Sequence, residues 1–218
     1  MALAQLVAEL ASLKVRKNWV DMDLLVLGEI SGFIGGTIGI AQGIPQVLRI
    51  RRLGHADGVS LSPWILLCAQ FAAWFGFGIK VGSPAIYVSN FLTLITSLLV
   101  VIAIRGKTIS SIALIFGLGA MAATFVILGP APLVDVVMVL FTASRVPQLI
   151  RTWRNRNRVQ VTAVSISALS ISLISLFFWL MFALLTANGL VIFTTCLAAT
   201  VIVATAALER RISARAKA

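Results

Sequence analysis

The stretch GIPQVLRIRR at residues 43–52 returns in altered form as RVPQLIRTWR at residues 145–154. In both copies a Pro-Gln pair ends an apolar run and precedes an arginine cluster. The similarity continues downstream: the motif Val-Ser-Leu-Ser at residues 59–62 matches Val-Ser-Ile-Ser at residues 164–167, and Trp74 matches Trp179, 105 positions later. These matches predict that residues 45–90 and residues 147–195 are two copies of one unit.

The composition predicts a membrane protein. Hydrophobic residues make up 60% of the chain, charged residues only 11%, and the mean hydropathy is +1.04, far from the balance of a soluble domain. A membrane-spanning helix needs about 20 apolar residues. Six such segments lie at residues 30–48, 58–79, 81–104, 108–134 and in 159–208, which the turn at Ala187-Asn188-Gly189 divides into two. Residues 135–150, which are fifth in chain order, bring the predicted number of spans to seven, because they contain the second Pro-Gln pair.

Seven helices and two copies predict an all-α fold with a three-one-three arrangement. Helices 1–3 and 5–7 are the repeats, and helix 4 is the linker that inverts the chain so that both repeats share one orientation. The predicted divisions are an N-terminal extension at 1–22 that forms an interfacial helix, a first repeat at 23–104, a linker at 105–129, a second repeat at 130–208 and a basic tail at 209–218.

Charge placement predicts the orientation, because short cytoplasmic loops collect Lys and Arg. Basic clusters follow helices 1, 3, 5 and 7, whereas the opposite connections carry only Lys80. The N-terminus is therefore expected outside and the C-terminus in the cytoplasm, and the short loops favour a bacterial inner membrane. Topology accounts for the net charge of +11, so the predicted partner is the lipid bilayer and not a nucleic acid.

Catalytic chemistry is not predicted. The chain has one histidine, His55 in a basic loop, and its two cysteines, Cys68 and Cys196, fall in different helices. No nucleophile, base and orienting group can be assembled from these residues. We expect no enzyme activity, no cofactor and no metal site.

The paired Pro-Gln motifs and the three-one-three arrangement resemble the PQ-loop superfamily, and within it the SWEET sugar transporters, a parallel-repeat fold. The resemblance covers about residues 24–208. The segment Asp57-Gly58-Val59-Ser60-Leu61-Ser62-Pro63 is similar to the loop that enters helix 2 in that family. The resemblance to this family implies a carrier that moves a small sugar or similar polar solute by facilitated, alternating-access diffusion.

The resemblance also implies that prolines form hinges of a gate. Pro45 and Pro147 each remove one backbone donor, which frees a carbonyl group four residues earlier and lets the helix bend. Gln46 and Gln148 are expected to help satisfy such groups. Pro63, at the start of helix 2, resembles a third hinge residue, although Ala168 stands at the equivalent place in the second repeat.

The solute site is predicted from how deep four residues lie in the membrane. Trp74 lies about twelve residues into helix 2, roughly 18 Å deep, and Asn90 lies roughly 8 Å into helix 3 from the other side, which brings the two to similar depths. Trp179 and Thr195 keep the same separation of 16 residues. The predicted substrate-binding residues are these four, because an indole face packs on a sugar ring while Asn90 offers donors and an acceptor. The family carries a substrate Trp and Asn at such positions.

Two alternatives stay open. Glu29 and Asp135 are acidic groups near membrane depth, where such groups are costly and often functional. In the first alternative they bind a proton or a cationic solute, and the chain is a proton-coupled amino-acid carrier similar to the lysosomal amino-acid branch of the same superfamily. In the other alternative the chain is a receptor or accessory factor that binds a ligand without moving it. A homo-oligomer is compatible with either.

Overall fold

The computed structural model describes residues 2–41, 61–105, 109–154 and 166–215. All regular structure in these ranges is helical, which confirms the predicted all-α class. The helices are α1 (Ala2–Ala41), α2 (Leu61–Val81), α3 (Pro84–Arg105), α4 (Ile109–Leu128), α5 (Ala131–Ala143), α6 (Val146–Arg154), α7 (Ile166–Leu185) and α8 (Gly189–Arg215).

Several helices are long and apolar enough to cross a membrane. Four described helices contain candidate spans, at Met22–Ala41, Trp64–Val81, Pro84–Ile102 and Gly189–Ile212. Three shorter apolar segments follow the same composition, at Ile112–Leu128, Ala131–Ala143 and Leu169–Leu185. Large apolar side chains such as Phe116, Met121 and Leu128 are exposed on the outer surface, which is the arrangement that lipid favours.

Helix α1 is longer than the prediction for the first span. It runs for 40 residues, about 60 Å at 1.5 Å per residue, or twice the roughly 30 Å of a bilayer core. The segment predicted as a separate extension, residues 1–22, is continuous from Ala2 with the span that starts at Met22.

The predicted fifth span is not one continuous helix in the structure. Helix α5 ends at Ala143, a turn follows at Ser144-Arg145, and α6 begins at Val146. The amides of Ser144 and Arg145 donate to carbonyls three residues back, at 3.2 and 3.4 Å. Pro147 explains the break, because it has no N–H to donate to Ala143 and is tolerated in the first turn of the new helix.

The turn between α2 and α3 has the same hydrogen bonds as the turn between α7 and α8. Gly82 and Ala187, 105 positions apart, both adopt left-handed backbone conformations, with φ of 69° and 51°. The next residue closes the turn each time: Ser83 N–H donates to Gly78 O and Asn188 N–H to Ala183 O, both at 2.9 Å. These are the bonds of a Schellman cap. The duplication seen in the sequence is thus repeated in the backbone.

Helix contacts follow the same duplication. In the first half α3 contacts both α1 and α2, and in the second half α8 contacts α5, α6 and α7. Helix α4 packs on α2, where Lys80 Nζ donates to the carbonyls of Val126 and Gly129 at 3.1 and 2.7 Å. The halves meet mainly where α1 packs along α7, with a smaller contact between α2 and α5.

Glycines permit the close approach of α1 to its neighbours. A Cβ on Gly32 would lie 2.7 Å from Ala85 Cβ and 2.9 Å from Phe182 Cδ2, and one on Gly36 would overlap Ser89. Two hydrogen bonds then cross between α1 and α7: Ser31 Oγ to Phe178 O, and Ser175 Oγ to Gly35 O, at 2.8 and 2.7 Å. The glycines of α1 therefore allow it to pack closely against α3 and α7.

Candidate functional site

The four predicted substrate-binding residues line one cavity. Trp74, Asn90, Trp179 and Thr195 come from α2, α3, α7 and α8, and surround a space of about 150 Å³ between the two halves. A single buried water needs roughly 10–15 Å³ of such space. The cavity therefore has room for a small solute or for several waters.

Equivalent positions of the two sequence copies line the cavity. Seven lining residues of the first half have lining counterparts 105 positions later. The pairs are Gln70 and Ser175, Phe71 and Leu176, Trp74 and Trp179, Ile86 and Val191, Ser89 and Thr194, Asn90 and Thr195, and Thr93 and Ala198. Equivalent positions on both sides of a shared space are what a pseudo-twofold axis through the cavity produces.

Each indole is held by a phenylalanine one turn further along its helix. The Trp74 and Phe77 rings lie 5.5 Å apart at 86°, and the Trp179 and Phe182 rings lie 5.5 Å apart at 77°. Such edge-to-face contacts are favourable for aromatic pairs. The two phenylalanines belong to the apolar core cluster that also contains Met138. This cluster fills the bundle on the side of the cavity where α2 and α7 end.

Several polar groups of the wall are already hydrogen-bonded within their own helices. Asn90 Nδ2 donates to Ile86 O at 2.8 Å, and Thr194 Oγ1 donates to Leu190 O at 2.8 Å. The Asn90 carbonyl oxygen accepts no hydrogen bond from the described residues. It is thus available to a solute, whereas the Asn90 amide group is oriented by α3.

Two polar residues of the cavity wall, Gln70 and Arg145, are of interest although the sequence did not indicate them as site residues. Gln70 is buried, and its Oε1 is an acceptor without a partner among the described residues. An unsatisfied buried acceptor costs about 1–3 kcal/mol, so a water or a solute bound to this oxygen would be stabilising. Arg145 also lines the cavity, from the turn between α5 and α6. Its signal in the sequence is a charge that interrupts the apolar run of residues 135–150.

The predicted gate residues lie apart from the four cavity residues where they are described. Pro45 and Gln46 fall outside the described residues. Pro63 is in the first turn of α2, and Pro147 is exposed in the first turn of α6. Gln148 follows it in α6, with its side chain outside the description. Their role as hinges stays a prediction.

Glu29 and Asp135 do not line the cavity. Glu29 Oε1 accepts from Ser83 Oγ at 2.7 Å, and Oε2 accepts from Ala85 N–H at 2.6 Å. The carboxylate therefore caps the first turn of α3 from α1, where it also meets the positive end of the helix dipole. Asp135 is exposed on α5. A proton or cation site at either residue stays a prediction.

Within the described ranges no three His, Cys, Asp or Glu side chains come close enough to hold a metal ion. Cys68 is buried and Cys196 is exposed. The described residues of the cavity wall carry indoles, amides, hydroxyls and one guanidinium.

No protein-family model matches the chain, and no curated protein matches it significantly.

Proposed function

We propose that the chain is a membrane carrier that moves a small polar solute, a sugar or a compound like it, by alternating access. The observation that supports this most is the duplicated cavity wall, in which seven residue pairs at a constant offset surround one space between the halves. A site at the interface of two repeats is typical of secondary transporters. The resemblance to the PQ-loop superfamily and its SWEET branch, drawn from the Pro-Gln motifs, is part of the same proposal.

The proposed membrane arrangement has seven spans in a three-one-three order. It combines the four long candidate spans with the three shorter apolar segments, and takes α5 with α6 as the fifth span. The contacts of α3 with α1 and α2, and of α8 with α5, α6 and α7, support two equivalent bundles. The N-terminus is proposed outside and the C-terminus in the cytoplasm of a bacterial inner membrane.

The cavity chemistry suits a hydroxylated solute. Two indole faces provide apolar contact for C–H groups, and Asn90, Thr195 and Gln70 supply hydrogen-bonding groups around them. A mostly apolar wall with a few polar groups is the usual composition of a small-molecule site. Movement then needs the apolar cluster around Phe77 and Phe182 to separate, while the opposite side of the cavity closes.

Entrance counterflow tests this proposal against a receptor. Proteoliposomes are loaded with an unlabelled sugar and diluted into the same labelled sugar, for a panel of neutral sugars, sugar acids and amino acids. A carrier accumulates label transiently for at least one of them, because label entering is exchanged for unlabelled solute. Binding to the protein without transient accumulation in any case would refute the carrier and favour a receptor.

A further inference from the structure

A cationic side chain lines the proposed solute cavity at membrane depth. Arg145 lies in the turn after α5, whose 13 residues span about 20 Å at 1.5 Å per residue, so the proposed arrangement places it within the bilayer core of about 30 Å. A charged side chain at such depth is costly and is usually paired or functional. The guanidinium of Arg145 therefore needs an explanation.

The described residues do not supply a carboxylate for this guanidinium. All other described residues of the cavity wall are uncharged. Both oxygens of Glu29 accept hydrogen bonds from Ser83 and Ala85, and Asp135 is exposed on α5 outside the cavity. Glu209 is buried beside Thr152, whose Oγ1 donates to it at 2.9 Å, and does not line the cavity. The described wall thus carries a net positive charge.

Gln70 provides a second, independent indication that the cavity binds a ligand. Only 5% of its surface is exposed, and its Oε1 has no hydrogen-bond partner in the described part of the chain. Its counterpart Ser175 donates to Gly35 O and is satisfied. Gln70 is on α2, which contacts α5, and an occupant with a hydroxyl group would complete its acceptor.

Arg145 also breaks the symmetry of the cavity. The seven wall pairs of α2, α3, α7 and α8 are matched in position, but α1 contributes Gly36 and Gly39 where α5 and its turn contribute Thr142 and Arg145. The paired positions differ in chemistry, as at Gln70 and Ser175, but none of them carries a charge. A single guanidinium on one side attracts a negative group to that end of a solute.

We propose, on the basis of the carrier function above, that the solute is a hydroxylated carboxylate of the sugar-acid class. Its carboxylate pairs with Arg145, one of its hydroxyls donates to Gln70 Oε1, and its C–H face packs between Trp74 and Trp179. The planar guanidinium fork matches a carboxylate with two parallel hydrogen bonds. The cost of placing either charge at this depth falls when they meet.

Matched pairs of solutes test this class. Galactose and galacturonate, and glucose and glucuronate, differ only at C6, where the acid carries a carboxylate. Counterflow of the four labelled compounds is measured in proteoliposomes with the native protein. We expect at least one uronate to be exchanged tenfold or more faster than its neutral partner.

Variants connect the preference to the two residues. Arg145→Gln should lower uronate exchange by about tenfold to a hundredfold, in line with the loss of hydrogen bonds to a charged group, and Arg145→Lys should lose less. Gln70→Glu places a negative charge on the same wall and should lower uronate exchange more than the exchange of the neutral partner sugar. Arg154→Gln removes the same charge from an exposed site on α6 and serves as the matched control, with exchange unchanged.

The outcomes separate this inference from the carrier proposal. Neutral sugars exchanged in preference to their uronates, or uronate exchange unaffected by both Arg145→Gln and Gln70→Glu, would overturn the sugar-acid site and leave the carrier standing. Absence of exchange for every solute of the wider panel would overturn both. If Arg145→Gln does not give a monodisperse protein, Arg145→Lys and Gln70→Glu decide the question.

Discussion

The sequence suggests a functional role for Glu29, whereas the structure shows its carboxylate hydrogen-bonded to the start of another helix. An acidic side chain near membrane depth is rare enough to predict a proton or cation site. In the structure both carboxylate oxygens are used at the start of α3, by Ser83 Oγ and Ala85 N–H. Hydropathy along one chain cannot reveal this, because the capped helix is more than fifty residues away in sequence.

Replacement of Glu29 should affect stability more than exchange. Glu29→Gln keeps one acceptor but loses the charge at the helix terminus, and Glu29→Ala loses both, at an expected cost of about 0.5–2 kcal/mol. Thermal unfolding in detergent measures the change. Asp135→Asn, at an exposed site on α5, is the control and should leave unfolding unchanged. Loss of solute exchange together with its pH dependence in Glu29→Gln would instead support the proton-coupled alternative.

At the scale of elements, the regular geometry of helices made part of the cavity wall predictable. A rise of 1.5 Å per residue was enough to bring Trp74, Asn90, Trp179 and Thr195 to similar depths, and all four line one cavity. Gln70 and Arg145 were missed because which face of a helix points inward depends on its neighbours. The break before Pro147 was anticipated as a bend, but a turn that directs Arg145 toward the cavity depends on tertiary packing.

The contact of α1 with α3 and α7 gives a second prediction. Gly32→Ala places a Cβ against Ala85 and Phe182, and such overpacking costs typically about 1–3 kcal/mol. Gly117→Ala on α4 is the matched control, because a Cβ there meets nothing within 4 Å and alanine is the better helix former. Thermal unfolding should therefore show loss for the first variant and no loss for the second.

A second substitution, which removes the group that the new Cβ of Gly32→Ala would meet, completes that test. Adding Ala85→Gly to Gly32→Ala removes the methyl group that the new Cβ would meet at 2.7 Å. The double variant should recover part of the lost stability. Equal unfolding temperatures for Gly32→Ala and the native protein would mean that α1 does not pack as described.

At the scale of the whole molecule, parallel repeats require that equivalent turns lie on one side of the membrane. Pro84 and Gly189 begin α3 and α8, are exposed and are 105 positions apart. In a protein with Cys68→Ala and Cys196→Ala, Pro84→Cys and Gly189→Cys should both react with an impermeant maleimide on intact cells. Ala214→Cys, near the far end of α8, should react only after the membrane is opened. Reaction of the first two from opposite sides would exclude parallel repeats.

The central claim is that one duplicated cavity carries the solute, and exchange by indole variants tests it most directly. Counterflow of the best solute of the panel is compared for the native protein, Trp74→Ala, Trp179→Ala and Phe177→Ala, the last an exposed aromatic residue of α7. We predict that either tryptophan variant loses at least tenfold in exchange while Phe177→Ala keeps the native rate. Full exchange by both tryptophan variants, in protein that remains folded, would contradict the account.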